Sequence, residues 1–404
     1  MIRLIITILS MLSILNANLL QEAIDKAPNG SIIKLPKGRY SGSIVINKPL
    51  TIIGKEAGVI IDGEGNGTVI TIGSSFVTLK NLTILNSGSY SHSLDAAIKV
   101  NSAKQCEISD CIIDDCLFGI DLQMTNNSII SNNTITSKDL DLGLRGDGLR
   151  LWYSNDNIIR KNRLIKSRDM VVWYSHGNLI EENFGEYNRY SLHFMYAGKN
   201  IVKNNTYQHN SVGIFFMYSK DTIATGNVIK SSLGATGMGI GLKDVSNFIL
   251  RDNTILYNAQ GLYIDRSPFE PGTHNWIENN KVLYNAEALH FHSLSEDNII
   301  TNNTIMGNIE DILSDSRGSR TNENKIEGNF WDNYTGFDRN SDNIGDTPHK
   351  VYQYADQLWT YNPSVKFFYA SPVISLLNFL AKLAPFSEPV FLLEDKKPKV
   401  KLKG

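Results

Sequence analysis

Four segments of this chain end alike at a nearly constant spacing. Arg150–Ser154 reads R-L-W-Y-S, Val171–Ser175 V-V-W-Y-S, Leu192–Ala197 L-H-F-M-Y-A and Ile214–Ser219 I-F-F-M-Y-S. Trp152 to Trp173 is 21 residues, and Trp173 to Met195 and Met195 to Met217 are 22 each. Short apolar segments on such a period predict a stack of identical coils, each burying its apolar side against its neighbours. An asparagine-rich unit, roughly N-x-I-x-x-N-x-I, keeps the same period, with its second asparagine at 133, 162, 183, 205, 227, 253, 280 and 303. Three short strands and their turns fill one period. This predicts an all-β fold, a right-handed parallel β-helix whose rungs stack about 4.8 Å apart. Asparagine suits the corners because it tolerates left-handed backbone and can hydrogen-bond along a stack. The longer intervals predict surface insertions near Asp139–Arg145, Ser231–Met238 and Ser267–His274.

Strand alternation assigns the faces. Leu192, Phe194 and Tyr196 share one face with Ile214, Phe216 and Tyr218, and they continue the apolar column Leu149, Leu151, Val172, which marks the core. Trp152, Trp173, His193, Met195, Phe215 and Met217 then point outward. Solubility alone does not select such a ridge.

The flanks read differently. Residues 1–17 look like an export signal, with Arg3 before the apolar run Leu4–Leu15 and a cleavage site at Leu15-Asn16-Ala17; a buried N-terminal helix is the other reading. Asn18–Ala27 reads as an amphipathic helix covering the open end of the stack, with Leu19, Leu20, Ala23, Ile24 and Ala27 on one side. The β-helix is expected over 18–335 and a C-terminal extension over 336–404. That extension holds an acidic loop, an apolar stretch Phe367–Leu383 and a lysine-rich end, Asp395–Gly404, expected to be mobile. No stretch is apolar for long enough to span a membrane. A net charge of −2 over 404 residues gives no reason to expect nucleic acid as a partner.

The motifs G-D-G-L-R-L-W-Y-S, M-V-V-W-Y-S, L-H-F-M-Y, G-I-F-F-M-Y-S, G-M-G-I-G-L-K-D, G-L-Y-I-D-R-S-P, A-L-H-F-H and the aspartate-rich Gly328–Pro348, with L-W-x-x-N-P, form one set. With them the chain resembles the NosD family of nitrous-oxide-reductase maturation proteins, from about Asn18 to Pro385. The resemblance implies a periplasmic β-helix working with an ABC transporter, a copper chaperone and nitrous oxide reductase. It also implies a part in assembling the reductase's copper–sulfur centre, and no enzymatic activity.

Within that frame the outward ridge gains a chemical reading. Cu(I) prefers thioethers and accepts imidazole. His193 and Met195 share a strand face and Met217 lies one rung away, so the three can converge on one ion with few carboxylates near. The other reading is a metal-free docking patch centred on Trp152, Trp173 and Phe215. His290 and His292 repeat the outward alternation beside Tyr263 and Asp265, and read either as a weaker second metal site or as a solvated pair. Asp338, Asn340, Asp342 and Asp346 are spaced like a calcium loop, though Asn343 stands where glycine belongs; a solvated acidic turn is the alternative. Phe368, Leu376, Leu377 and Leu380 offer apolar area for a membrane partner, and a helix packed back on the stack is the alternative. Cys106, Cys111 and Cys116 lack zinc or redox spacing and read as buried thiols, one disulfide or a copper–sulfur role.

A rival class is a polysaccharide lyase, epimerase or glycosidase on the same fold. It needs converging carboxylates or a basic residue in a groove. Asp114-Asp115 and Asp265-Arg266 are the tempting pairs, and strand alternation sends the members of each pair to opposite faces.

Overall fold

The computed structural model describes residues 5–7, 15–234, 236–314, 321–353, 368, 371–383 and 390–402. It divides into two compact units, Met1–Ile223 and Ala224–Gly404, each a right-handed parallel β-helix built from three sheets. One rung of the first unit shows the plan: Leu179–Glu181 in the first sheet, Phe184–Glu186 in the second and Tyr190–Met195 in the third. In the first unit, core residues of successive rungs stand over one another. Ile130, Ile159, Ile180 and Val202 form one core column, and Leu122, Leu151, Val172, Phe194 and Phe216 another. All nine are fully buried, and the rings of Phe194 and Phe216 stack at 4.9 Å. The predicted insertions fall between Ser137 and Leu149, between Lys230 and Met238, and between Asp265 and Asn275, where strands end and restart.

Most corners follow one rule. A residue in the left-handed region points outward, and the next residue is buried. Lys161, Glu182 and Asn204 have φ of 55°, 55° and 56°, and the ladder asparagines Asn162, Asn183 and Asn205 that follow them are buried. The left-handed turn therefore falls on the residue before the ladder asparagine, and that residue can be lysine or glutamate. The asparagine is needed for its amide. The Asn183 backbone N–H and Nδ2 both donate to Asn205 Oδ1, at 2.9 and 3.0 Å, while Nδ2 also donates to the Ile159 carbonyl at 2.9 Å. Corner groups that would be orphaned in a buried turn are thus satisfied along the stack. Cys106 and Cys111 head two such ladders, their N–H groups donating to Ser128 Oγ and Asn133 Oδ1. All three cysteines are free and buried. Burial pushes the thiols of Cys111 and Cys116 up to about 12 and raises that of Cys106, so they stay protonated and poorly suited to metal or nucleophilic chemistry.

The same rule corrects the assignment of Tyr196 and Tyr218 to the core. The third-sheet strands end at Met195 and Met217. Tyr153, Tyr174, Tyr196 and Tyr218 take the left-handed corner, with φ of 48–52°, and Ser154, Ser175, Ala197 and Ser219 follow as the buried residues. The four tyrosines project outward as a stack with ring separations of 4.9, 5.1 and 4.9 Å.

Helix Ala17–Lys26 covers the first edge of the third sheet. Gln21 accepts from the Val45 N–H at 2.8 Å and donates to the Val45 carbonyl at 3.0 Å, which blunts an open strand. Leu20, Ile24 and Ala27 are buried, but Leu19 is exposed, so the apolar side is narrower than expected. Ile5–Thr7 and Leu15–Asn16 pair in parallel with Ile32–Lys34 and Tyr40–Ser41; residues 1–4 and 8–14 of the expected export signal lie outside the described residues.

In the second unit, His349–Gln353 pairs antiparallel with Val390–Asp395, and Pro372–Leu383 is helical. The described part of the lysine-rich end, residues 395–402, is tied down, contrary to the expected mobility. Buried Asp395 accepts from the N–H groups of Gly328 and Asn329, from Asn329 Nδ2 and from Trp331 Nε1. Lys399 bonds Asn302 and Asn329, and Lys401 bonds Asn343. The segment L-W-x-x-N-P lies outside the described residues.

Candidate metal centre

The centre lies on three consecutive third-sheet strands of the first unit, Asp169–Trp173, Tyr190–Met195 and Val212–Met217. Their register sets Val171, His193 and Phe215 in one column and Trp173, Met195 and Met217 in the next. His193 Nε2 lies 3.3 Å from Met217 Sδ. A thioether is a weak hydrogen-bond acceptor, so this contact adds little as a hydrogen bond. An imidazole nitrogen facing a soft sulfur is a donor pair for a soft cation. Met195 stands beside Met217 in register and offers a second thioether.

The expected direction of these side chains holds, but the expected open ridge does not. His193 is 7% exposed and Phe215 8%, while Trp152, Trp173, Met195 and Met217 are half-buried. Tyr190 stacks on the His193 ring at 4.8 Å. Trp173 meets that ring edge-on at 6.0 Å, and Phe215 tilts against it at 6.4 Å. Large rings on adjacent rungs of one face cover each other. Phe215 is therefore a wall of the site and not an exposed docking residue. Trp152 and Trp173 pack edge to face at 5.9 Å and leave part of their surface outward.

One carboxylate does stand beside the site. Asp169 is buried, and its Oδ2 lies 3.8 Å from His193 Nδ1. Arg189 holds the carboxylate with Nε and a guanidinium nitrogen, and the Tyr190 N–H donates to it at 3.2 Å. Burial pushes the Asp169 carboxyl up, but His193 and Arg189 together outweigh burial and leave it below its ordinary value. Rungs nearby repeat the pairing: Asp147 with Arg168 and Asp121 with Arg150. Burial drives the Asp147 carboxyl up to about 6 against the pull of Arg168. A signal for these residues was available in Arg168-Asp169 and Arg189-Tyr190, at the starts of the same strands. Both lie upstream of Leu192, outside the stretch where apolar alternation marks the faces.

The donor set suits a soft monovalent ion. His193 Nδ1 is buried with no hydrogen-bond partner, Nε2 faces sulfur, and aromatic rings close the sides.

The second histidine pair differs. Tyr263 and Asp265 stand beside His290 and His292, as the sequence implied. His290 is buried and not solvated, and its Nδ1 lies 2.7 Å from Glu287 Oε2 and 3.1 Å from Gln260 Nε2. In the acidic loop the oxygens are taken by the chain's own N–H groups. Asp338 accepts from Asp342 and Asn343, Asp342 from Ile344, and Asp346 from Arg339. That pattern describes a self-bonded turn. Among the described residues no cluster of three or more His, Cys, Asp or Glu side chains gathers around a point. Phe368, Leu376, Leu377 and Leu380 are all exposed, with Val373, Phe379 and Leu383 beside them. Among the described residues no helix is long and apolar enough to cross a membrane.

Residues 134–336 match the family described as periplasmic copper-binding protein (NosD), and residues 57–183 match the right handed beta helix region. The chain is 33% identical over 374 residues to the probable ABC transporter binding protein NosD of Pseudomonas aeruginosa, covering 87% of this chain and 84% of that one. It is 30% identical over 375 residues to the protein of the same name from Stutzerimonas stutzeri, covering 87% and 83%. Among solved structures, the A-module of the Azotobacter vinelandii mannuronan C-5 epimerase AlgE6 superposes with a TM-score of 0.55 at 13% identity, covering 78% of this chain and 94% of that one. At that identity the likeness speaks for the coil alone. The chain belongs to the NosD family of periplasmic copper-binding proteins.

Proposed function

We propose that this protein is a periplasmic accessory factor for nitrous oxide reductase, exported by residues 1–17, which holds Cu(I) and passes it on during assembly of the reductase's copper–sulfur centre. The observation that carries this reading is the contact of His193 Nε2 with Met217 Sδ at 3.3 Å, with Met195 in register beside it. In this reading His193, Met217 and Met195 hold the ion. Trp173, Tyr190 and Phe215 limit water and oxidant, and the paired strands hold the ligands beside one another. Bound Cu(I) supplies no step of its own here; it is cargo.

Partner docking belongs to the second unit. The helix Pro372–Leu383 exposes Leu376, Leu377 and Leu380, and a surface of this kind marks an interaction site. The relatives' names speak of ABC transporter binding; in our reading the helix serves that contact, and a copper chaperone loads the His193 site. Removing the whole extension is a poor test because Asp395 caps the stack. Leu376→Glu with Leu380→Glu leaves the cap in place and should abolish co-purification with the transporter.

The decisive measurement is an anaerobic Cu(I) titration of residues 18–404 against a competing chelator. One ion per chain, lost in Met217→Leu together with copper loading of the reductase, supports the reading. No Cu(I) binding by the parent protein leaves a docking scaffold and overturns it.

A further inference from the structure

We propose that Asp169 is a positioning residue for His193: its carboxylate fixes the proton on Nδ1 and so leaves the Nε2 lone pair aimed at Met217 and available to a metal ion. This rests on the proposed copper function for the site, but its first consequence is a property of the metal-free protein.

The geometry sets two ends of one ring in opposite surroundings. Nδ1 faces Asp169 Oδ2 at 3.8 Å, beyond hydrogen-bond distance, and is buried without a partner. Nε2 faces Met217 Sδ. A neutral imidazole carries one proton, and its position is set by whichever neighbour stabilises the N–H. A carboxylate beside Nδ1 attracts an N–H dipole and repels a lone pair, whereas a thioether at Nε2 gains little from a proton. The proton therefore belongs on Nδ1. Asp169 is itself held. Arg189 and the Tyr190 N–H take its Oδ1, and Arg189 also takes Oδ2. Tyr190 stacks on the imidazole and fixes its plane. When a cation takes Nε2, the Nδ1–H becomes more acidic, and the gap to Oδ2 can close into a charge-assisted hydrogen bond that raises the ligand's basicity.

Nitrogen-15 NMR of the metal-free protein, labelled at histidine, reads the tautomer directly. Parent protein should show His193 protonated at Nδ1 and bare at Nε2; the opposite tautomer overturns the proposal without any variant. Asp169→Asn presents an amide in place of the carboxylate and should shift His193 toward the Nε2–H tautomer. Its Cu(I) affinity should fall about tenfold to a hundredfold, the usual effect of removing such a partner. Arg189→Lys gives up the two-point grip on Asp169 but keeps a cation beside the carboxylate, so it should keep both tautomer and most of the affinity. Equal loss in both variants would mean that Asp169 acts through local stability alone, and the proposal fails. If His193→Ala leaves Cu(I) binding intact, the site reading fails. If His193→Ala loses binding while Asp169→Asn keeps tautomer and affinity, only the positioning role fails.

Discussion

His193 and His290 occupy the same position of the same kind of strand and meet different neighbours. Tyr190–Met195 reads Y-S-L-H-F-M and Glu287–His292 reads E-A-L-H-F-H. In both, the histidine turns from the core and is nevertheless buried. At the first position of the strand, however, Tyr190 stacks on His193, whereas Glu287 bonds the Nδ1 of His290 at 2.7 Å. Next to His193 comes a sulfur from the neighbouring rung; next to His290 come Tyr263 and Gln260. Position in the repeat fixes where a side chain goes. The identity of two or three neighbours fixes whether its nitrogen has a lone pair to give. Two buried aspartates teach the same lesson: Asp169, held by Arg189, lies below its ordinary value, while Asp311, with no cationic partner among the described residues, is pushed up to about 7 by burial and by Asp332.

The sharpest break of this comparison is at the metal. His193→Ala should lower Cu(I) affinity by about a thousandfold, the scale of losing a ligand worth roughly 4 kcal/mol, and His290→Ala should leave it unchanged; equal effects in a chelator competition would erase the distinction. Next comes pH. The folded-state carboxyl of Asp311 titrates near 7, above its unfolded value near 4. The native protein therefore binds the extra proton between those values, and this group's contribution to stability falls as pH rises from about 4 to about 7. Asp311→Asn should remove that loss, on the order of 3–4 kcal/mol if the full shift is expressed. Denaturant midpoints at pH 5 and pH 8 check it, and an unchanged pH dependence would show that the group is not buried alone. The corners give the third test. Asn183→Ala strips the acceptor from the Asn162 N–H and from one of the two hydrogens on Nδ2, the other staying on the Ile130 carbonyl, and should cost roughly 2–3 kcal/mol. The fourth transplants one environment into the other: Tyr190→Glu gives His193 the carboxylate that occupies His290, and Cu(I) affinity should drop about tenfold, or 1.4 kcal/mol. The smallest structural effect is Met195→Leu, which should stay within about 1.5 kcal/mol in stability while weakening Cu(I) several-fold.

The coil itself was legible in the sequence. A 22-residue period with alternating apolar residues leaves few folds, and Leu192, Phe194, Ile214 and Phe216 lie where alternation puts them. Alternation failed where the strand stopped. Tyr196 and Tyr218 lie one residue past the strand end, in the left-handed corner, and periodicity carries no mark of that stop. The pairing of His193 with Met217 followed from strand direction and rung spacing. Asp169 did not, because its approach to His193 runs between rungs through the bent start of a strand, where the register shifts between Asp169 and Val171. Burial of Phe215 was missed for a related reason: a face is covered by what neighbouring rungs project, and a single strand cannot report it.

The asparagine ladders of the second unit have a sense of direction. Each amide gives its hydrogens to the oxygen of the next, from Asn253 to Asn280, from Asn280 to Asn303 and from Asn303 to Asn329. Such a series can be lengthened or shortened by whole coils without disturbing any member, but it cannot simply stop. Its last amide still has hydrogens to give, and only a group that takes and gives nothing back can close the account. Asp395 is that group, brought in from outside the repeat by the strand Val390–Asp395. This ladder is thereby closed by a carboxylate, and Asp395→Asn would set an amide, with hydrogens of its own to give, where Gly328, Asn329 and Trp331 all bring N–H groups.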